Sequence, residues 1–201
     1  MPDVPLPVVY RMKVSQRGIS PMIWRRLLIP ADLTLYGLHR TIQIAFGWED
    51  DHLHAFHLHG RRYSTMWSGE RHRDVHGREI TLADLRLRQR QRILYEYDFG
   101  DLWKHEIRVE AKLQDEPHGP YPVCIGGARA GPPEDIGRPS GYHALLDRLR
   151  CGDTDGLIAG DDDSGDNDDD DPLGGFDPER FGRREVNTEL RREFAAPRDK
   201  A

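Results

Sequence analysis

Tyr95-Glu96-Tyr97-Asp98-Phe99-Gly100-Asp101-Leu102-Trp103-Lys104-His105-Glu106-Ile107 is the stretch on which the fold turns. Apolar and polar residues alternate on both sides of a Gly-Asp pair, the pattern of a β-hairpin. Taking Gly100-Asp101 as a two-residue type II′ turn pairs Phe99 with Leu102, Asp98 with Trp103, Tyr97 with Lys104 and Glu96 with His105. Directly opposed residues share a face. One face then carries Leu94, Glu96, Asp98, Trp103, His105, Ile107, Val109 and Ala111, and it is the apolar one beyond the turn. This register therefore predicts Glu96, Asp98, Trp103 and His105 on the core side, near its rim. A slip of one residue would send one strand's side chains to the opposite face.

Working outward, Val8 to Ser15 alternates as a half-buried strand, and Ile23 to Ile29 alternates as a second, ending at Pro30. Thr34 suits a helix N-cap. Leu35, Leu38, Ile42, Ala45 and Phe46 recur at helical spacing, and Gly47 suits the left-handed C-terminal position. His39, Arg40 and Gln43 fall on the other side of that helix and read as solvated. His52 to Gly60 reads as a strand with His52, His54, Phe56 and Leu58 on one side. Residues 64–78 and 126–140 read as loops, Thr81 to Leu85 as a helical turn, and Tyr121 to Ile125 as a short extended piece. A helix follows over Tyr142 to Leu149. Phe176-Asp177-Pro178-Glu179 reads as a capped helix start, and Arg183 to Phe194 as a terminal helix.

Charge divides the chain. Residues 1–150 hold 22 Lys+Arg against 19 Asp+Glu, whereas residues 151–201 hold 7 against 16. Eight aspartates fall within residues 161–171, so that run should stay extended by self-repulsion. It is not an EF-hand, because no glutamate closes a loop around Gly165. A surplus of three cations over the body is too small to argue nucleic-acid binding. Arg86, Arg88, Arg90 and Arg92 offer a local basic run, but alternation with Leu85 and Leu87 reads equally as the edge of a strand. Cys124 and Cys151 are too few for a disulfide framework and sit in no zinc spacing. No apolar run reaches the length of a membrane span, and the start of the chain lacks the pattern of a signal peptide. A cytoplasmic protein without a membrane partner is the expectation.

Three motifs carry the chemistry. His52 and His54, at i and i+2, could chelate a divalent metal together with Asp98, Asp101 or His105; a His-rich surface strand is the plainer reading. Glu96 and Asp98 opposite Trp103 and His105 could supply a general base, or a buried pair that fixes register. Pro132-Pro133-Glu134-Asp135 stiffens an otherwise flexible loop and aims two acids from it. The chain has no G-x-S-x-G, P-loop, G-x-G-x-x-G or HExxH motif. No cofactor is demanded by motif; a divalent metal is the one the residues suggest. The expected polar cluster is Trp48, His52, Asp98, Asp101, Trp103, His105, Glu134 and Asp135, with His52, His54, His105 and Asp98 as metal candidates.

Several ordered segments resemble the plasmid pRiA4b ORF-3-like family. They are Ile19-Ser20-Pro21-Met22-Ile23-Trp24-Arg25-Arg26, Phe46-Gly47-Trp48 with Asp51-His52-Leu53-His54-Ala55-Phe56, Tyr97 to His105, Pro122-Val123-Cys124 with Gly126 to Asp135, and Gly141-Tyr142. Phe176-Asp177-Pro178-Glu179 to Asn187 resembles the family's C-terminal end, so the likeness runs over residues 8–194. It implies a compact α+β domain found in bacteria, archaea and mobile elements, with no established activity. It also ties the hairpin to Trp48-His52 and Glu134-Asp135. Some members carry a resolvase-type label, but the nucleophilic serine backed by arginines that such chemistry needs is not recognisable here. Two departures stand out. Gly131 replaces a frequent cysteine, and Gly137-Arg138 replaces a frequent Gly-Gly, so a thiol role at that loop is not supported.

The expectation is an α+β domain: a curved antiparallel sheet packed by two or three helices, with an acidic disordered loop before a C-terminal helix. Its parts would be a tail (1–7), the domain (8–151), the acidic loop (152–172), a C-terminal helical segment packed on the same domain (173–194) and a second tail (195–201). The leading function is an accessory or binding module linked to mobile elements. The alternative is a metal-dependent hydrolase or nuclease using the His/Asp cluster, with Glu134 or Asp135 as base.

Overall fold

The structure is a computed structural model that describes residues 8–64, 74–114, 121–152 and 175–195. The acidic run at 161–171, residues 65–73 of the expected loop, the first tail and all of the second tail but Ala195 lie outside these residues.

Among the described residues, eight strands form one open sheet. They are β1 (Val8–Gln16), β2 (Trp24–Pro30), β3 (His54–Leu58), β4 (Arg61–Ser64), β5 (Asp74–His76), β6 (Arg92–Tyr97), β7 (Trp103–Gln114) and β8 (Val123–Ala128). Their order across the sheet is β5-β4-β3-β6-β7-β1-β2-β8. Every neighbouring pair is antiparallel except β4 with β5. Three helices, α1 (Leu35–Phe46), α2 (Arg138–Cys151) and α3 (Arg183–Glu193), complete the α+β fold that the sequence predicts.

Alternation explains the core. In β1 the residues Tyr10, Met12 and Val14 are buried, and Ile107 and Val109 of β7 join them. They meet Leu38 and Ile42 of α1, Leu145 and Leu146 of α2 and Leu190 of α3 in one apolar cluster. Burying a leucine or isoleucine fully contributes about 1.5–3 kcal/mol, so this face drives the layers together. Thr34 caps α1 through its hydroxyl, which accepts from the Gly37 N–H at 3.1 Å. Gly47 ends the helix in the left-handed region at φ 81°.

Some boundaries differ from the sequence reading. Residues 74–76 are a strand rather than loop, added in parallel to the short edge β4. β8 runs to Ala128, because Gly126 and Gly127 pair with Arg26 and Arg25. α2 starts at Arg138, ahead of its apolar stripe, since Pro139 suits a first helical turn. Phe176–Glu179 does not open a helix. There the Asp177 carboxylate accepts from Glu179 N–H at 2.9 Å and closes a local turn instead.

The central hairpin is where the register differs. Tyr97 faces Trp103, Glu96 faces Lys104 and Tyr95 faces His105. The loop is thus five residues, 98–102, and the first strand is shifted by one position from the expected pairing. Asp98 causes this. Its N–H donates to Leu53 O at 2.9 Å, its carboxylate accepts from Gly100 N–H at 2.8 Å, and its φ is 52°. A residue committed to those bonds has left the ladder. Consequently Tyr95 and Tyr97, not Glu96 and Asp98, share the core face with Trp103 and His105. Glu96 faces the other side, where it meets His57 at 2.7 Å and Lys104 at 3.5 Å.

Candidate functional site

Three segments converge at the hairpin tip: the tip itself, the chain from Gly47 to His54, and the loop from Gly131 to Gly137. Gly47 lets α1 stop abruptly, and Trp48 then turns inward. Its indole stacks on Tyr97 with centroids 5.0 Å apart and donates to Pro132 O at 2.8 Å. Gly131 passes so close to the end of α1 that a Cβ there would come within 2.0 Å of Phe46 O. No cysteine side chain fits at that position without moving the backbone.

Glu134 is the staple of the site. One of its oxygens accepts from the Tyr97 hydroxyl at 2.5 Å and the other from Glu49 N–H at 2.8 Å. Burial, and then the Glu134 carboxylate beside it, push the Tyr97 hydroxyl far above its ordinary range. Asp101 accepts from Gly137 N–H at 3.0 Å, and Arg138 donates to Gly100 O at 3.2 Å. These bonds fix the tip against the loop from both sides.

His52 sits in the notch this leaves, just ahead of β3, with its side chain 30% exposed. Its Nε2 lies 3.2 Å from Asp135 Oδ1, and its Nδ1 lies 3.9 Å from Asp98 Oδ1. Asp98 is nearly buried, whereas the Asp135 side chain is 78% exposed. Of the expected cluster, the structure brings His52, Asp98 and Asp135 together, with Glu134, Asp101 and Trp48 as the residues that hold the segments in place. One ligand atom from each of His52, Asp98 and Asp135 lies within 4.8 Å of the others. An ion bound at about 2.0–2.2 Å needs them closer, a movement that the exposed Asp135 can supply.

His105 and Trp103 do not reach this notch. The His105 ring is fully buried against Phe46 and Trp48, with centroids 4.7 and 5.2 Å away. Among the described residues neither of its nitrogens, nor Trp103 Nε1, has a hydrogen-bond partner. Burial pushes His105 down to about 3, with the Arg25 guanidinium adding to the effect. It is a neutral core residue.

His54 also points elsewhere. It faces the core beside His39, the two rings lying 3.5 Å apart and within 10° of parallel. His39, expected on a solvated face, is completely buried. Its Nδ1 meets Tyr95 Oη at 2.8 Å and its Nε2 meets Asp50 Oδ1 at 2.5 Å. Gln43 Nε2 donates to the same tyrosine oxygen at 2.9 Å. Because the ionised Asp50 can only accept, the neutral imidazole carries its N–H on Nε2 and donates it there, which leaves Nδ1 to accept from the Tyr95 hydroxyl. Burial pushes Asp50 up, but the hydrogen bonds from His39 and Arg40 outweigh it and hold the carboxyl below its ordinary range. Burial drives His54 down to about 3 and lowers His39 as well.

His39, Asp50 and His54 therefore look like metal ligands by proximity but are not disposed as such. A metal lies close to the plane of the imidazole that binds it, about 2.0–2.1 Å from the nitrogen. Two near-parallel planes 3.5 Å apart do not share that position. The group is a hydrogen-bonded brace joining α1 to β3 and β6. Sequence reasoning missed it because His39 and Gln43 find their partner in Tyr95, 56 and 52 residues away. The available signal was the breadth of the apolar surface of α1, too wide for one exposed polar face.

No helix among the described residues is long and apolar enough to cross a membrane. A family profile described as plasmid pRiA4b ORF-3-like protein matches residues 8–185. The chain is 28% identical over 142 residues to a Sinorhizobium fredii protein described as uncharacterized protein y4hQ, covering 70% of this chain and 73% of that one. It also matches the crystal structure of MM3350 from Methanosarcina mazei Go1, a protein of unknown function. There the TM-score is 0.71 and the identity 32%, over 90% of this chain and 98% of the other. With its profile match spanning nearly the whole described sheet and all of α1 and α2, the chain belongs to the plasmid pRiA4b ORF-3-like family.

Proposed function

We propose that the protein is a binding or accessory module of mobile elements, whose recognition site is the notch around His52. The observation that carries this reading is the contrast within the site. Tyr97, Trp48, Glu134 and Asp101 are bound into a rigid frame, while His52 stays partly exposed between two carboxylates. A rigid frame that presents one accessible group of defined charge suits recognition. Two carboxylates beside an imidazole favour a cationic group, such as a lysine or arginine side chain of a partner protein. The plasmid in the family's description supports the mobile-element setting.

A titration of the full chain with an arginine-rich peptide at low salt tests this. Because Asp161–Asp171 also attracts cations, the informative quantity is the difference between the wild-type protein and Asp98→Asn/Asp135→Asn. Loss of about 1.5–3 kcal/mol of binding, the worth of hydrogen bonds to charged groups, supports the notch. Equal binding by both proteins contradicts it.

A second reading, a metal-dependent hydrolase, is favoured by the proximity of His52, Asp98 and Asp135 and would use a bound divalent ion to activate water. Metal analysis after dialysis against Zn²⁺ or Mn²⁺ separates the two. Stoichiometric metal that disappears in His52→Ala, with hydrolysis of a phosphodiester, would favour the enzyme.

A further inference from the structure

The helices α1, α2 and α3 all contribute to the apolar cluster on one side of the sheet. The opposite side of the four central strands bears a different pattern. Arg26 on β2 faces Lys13 on β1, Lys13 faces Arg108 on β7, and Arg108 faces Arg92 on β6. Four cations thus form one row across four adjacent strands, over about 14 Å at the usual strand spacing. Like charges placed directly opposite one another oppose sheet formation, and here Lys13 and Arg108 each have a cation on both sides.

The glutamates on this face do not cancel the row. Glu110 takes both Arg26, at 2.8 Å, and Arg11, at 3.4 Å. Glu106 pairs with Arg92 at 3.1 Å and Glu96 with Lys104 at 3.5 Å. That makes six cations (Arg11, Lys13, Arg26, Arg92, Lys104 and Arg108) against three carboxylates on this face of the four strands. Among the described residues neither Lys13 nor Arg108 forms an ion pair, although Lys13 is near enough to Glu110 to help lower the pKa of that carboxyl. Arg11, Arg26, Arg90 and Arg108 also line a depression of about 640 Å³ with only one acid, Glu110, in its wall. At the end of the row lies Trp24, with Lys13 Nζ and Arg26 Cζ each 5.1 Å from its ring centroid. On the neighbouring strand the small residues Ala128, directly opposite Trp24, and Gly126, where a Cβ would lie 3.7 Å from the ring, leave it little crowded from β8.

We propose that this face binds single-stranded nucleic acid, phosphates along the Arg26–Lys13–Arg108–Arg92 row and a base against Trp24. The charge complementarity is to a polyanion. An open strand surface with an aromatic plate among cations suits unpaired, stackable bases. It presents no helix to enter the major groove of a duplex. The face is separate from the His52 notch, so the two readings stand or fall independently.

Anisotropy of a fluorescein-labelled oligothymidylate, titrated with the full chain at several salt concentrations, tests the proposal. Binding at low salt should weaken with a log–log slope of about −2 to −4, as expected for three to five neutralised phosphates on a single strand. Lys13→Glu/Arg108→Glu, the first half-buried and the second exposed, with circular dichroism as the check on folding, should weaken binding by about tenfold or more. Trp24→Leu should weaken binding to the single strand and leave duplex binding unchanged, and His52→Ala should change neither. No binding by the wild-type protein, or unchanged binding by the double charge reversal, overturns the proposal. Equal or tighter binding to the matching duplex or to anionic vesicles overturns the single-strand assignment.

Discussion

Two groups of histidine and aspartate lie within a few residues of each other and behave oppositely. His39 and His54 are packed into the core with Asp50 half-buried at its edge, His39 bonded through both ring nitrogens and His54 stacked on it. His52, Asp98 and Asp135 use the same residue types at the rim, where the imidazole is partly exposed and its carboxylates stand at 3.2 and 3.9 Å. Composition and proximity do not separate a brace from a site. Ring orientation, burial and the number of bonds already made do separate them.

The largest expected effect is on the buried side of this comparison. His54 and His105 have folded-state values of about 3, against about 6.5 in an unfolded chain. Between those limits the unfolded state binds a proton that the folded state refuses. Stability is therefore full above pH 6.5 and falls as pH drops towards 3, by on the order of several kcal/mol in sum. Urea midpoints measured against pH check this. His105→Leu should flatten part of the loss and cost little at neutral pH, since the imidazole it replaces has no hydrogen-bond partner among the described residues. An unchanged acid profile in that variant would contradict a neutral, buried His105.

Next in size is the direct contrast between the groups. His39→Ala takes the acceptor from the Tyr95 hydroxyl, leaves Asp50 with Arg40 as its remaining partner and opens a cavity, so it should cost about 2–4 kcal/mol in denaturant unfolding. His52→Ala should change stability by no more than about 0.5–1 kcal/mol. If His52 proved the costlier of the two, the division into brace and site would fail. Trp48→Phe is smaller still. It keeps the stacking on Tyr97 but loses the bond to Pro132 O, a loss of about 1 kcal/mol. Faster amide exchange at Glu49, whose N–H is held by Glu134, would show the loop loosening.

What the sequence made legible was local. Thr34 and Gly47 bracket α1 because capping is decided within a turn of the helix, and β1 and β2 follow from alternation alone. The hairpin register was not legible, because Asp98 is drawn out of the ladder by Leu53 O, 45 positions away. His39 escaped for the same reason, its partner lying on another strand. Glu134 and Asp135 could be named from their stiff Pro-Pro loop, but their separate tasks could not. The Glu134 carboxylate locks Tyr97 and Glu49, whereas Asp135 turns to His52. The cationic row is invisible in sequence order, since Lys13, Arg26, Arg92 and Arg108 become neighbours only through strand pairing.

The most direct test of the His52 notch is the imidazole signal of His52 in an NMR titration with the arginine-rich peptide. The account predicts that the His52 ring resonances shift saturably while those of His39 and His54 stay fixed, and that Asp98→Asn/Asp135→Asn abolishes the shift. Resonances of His52 that do not move, or that move no more than those of the buried pair, would contradict it.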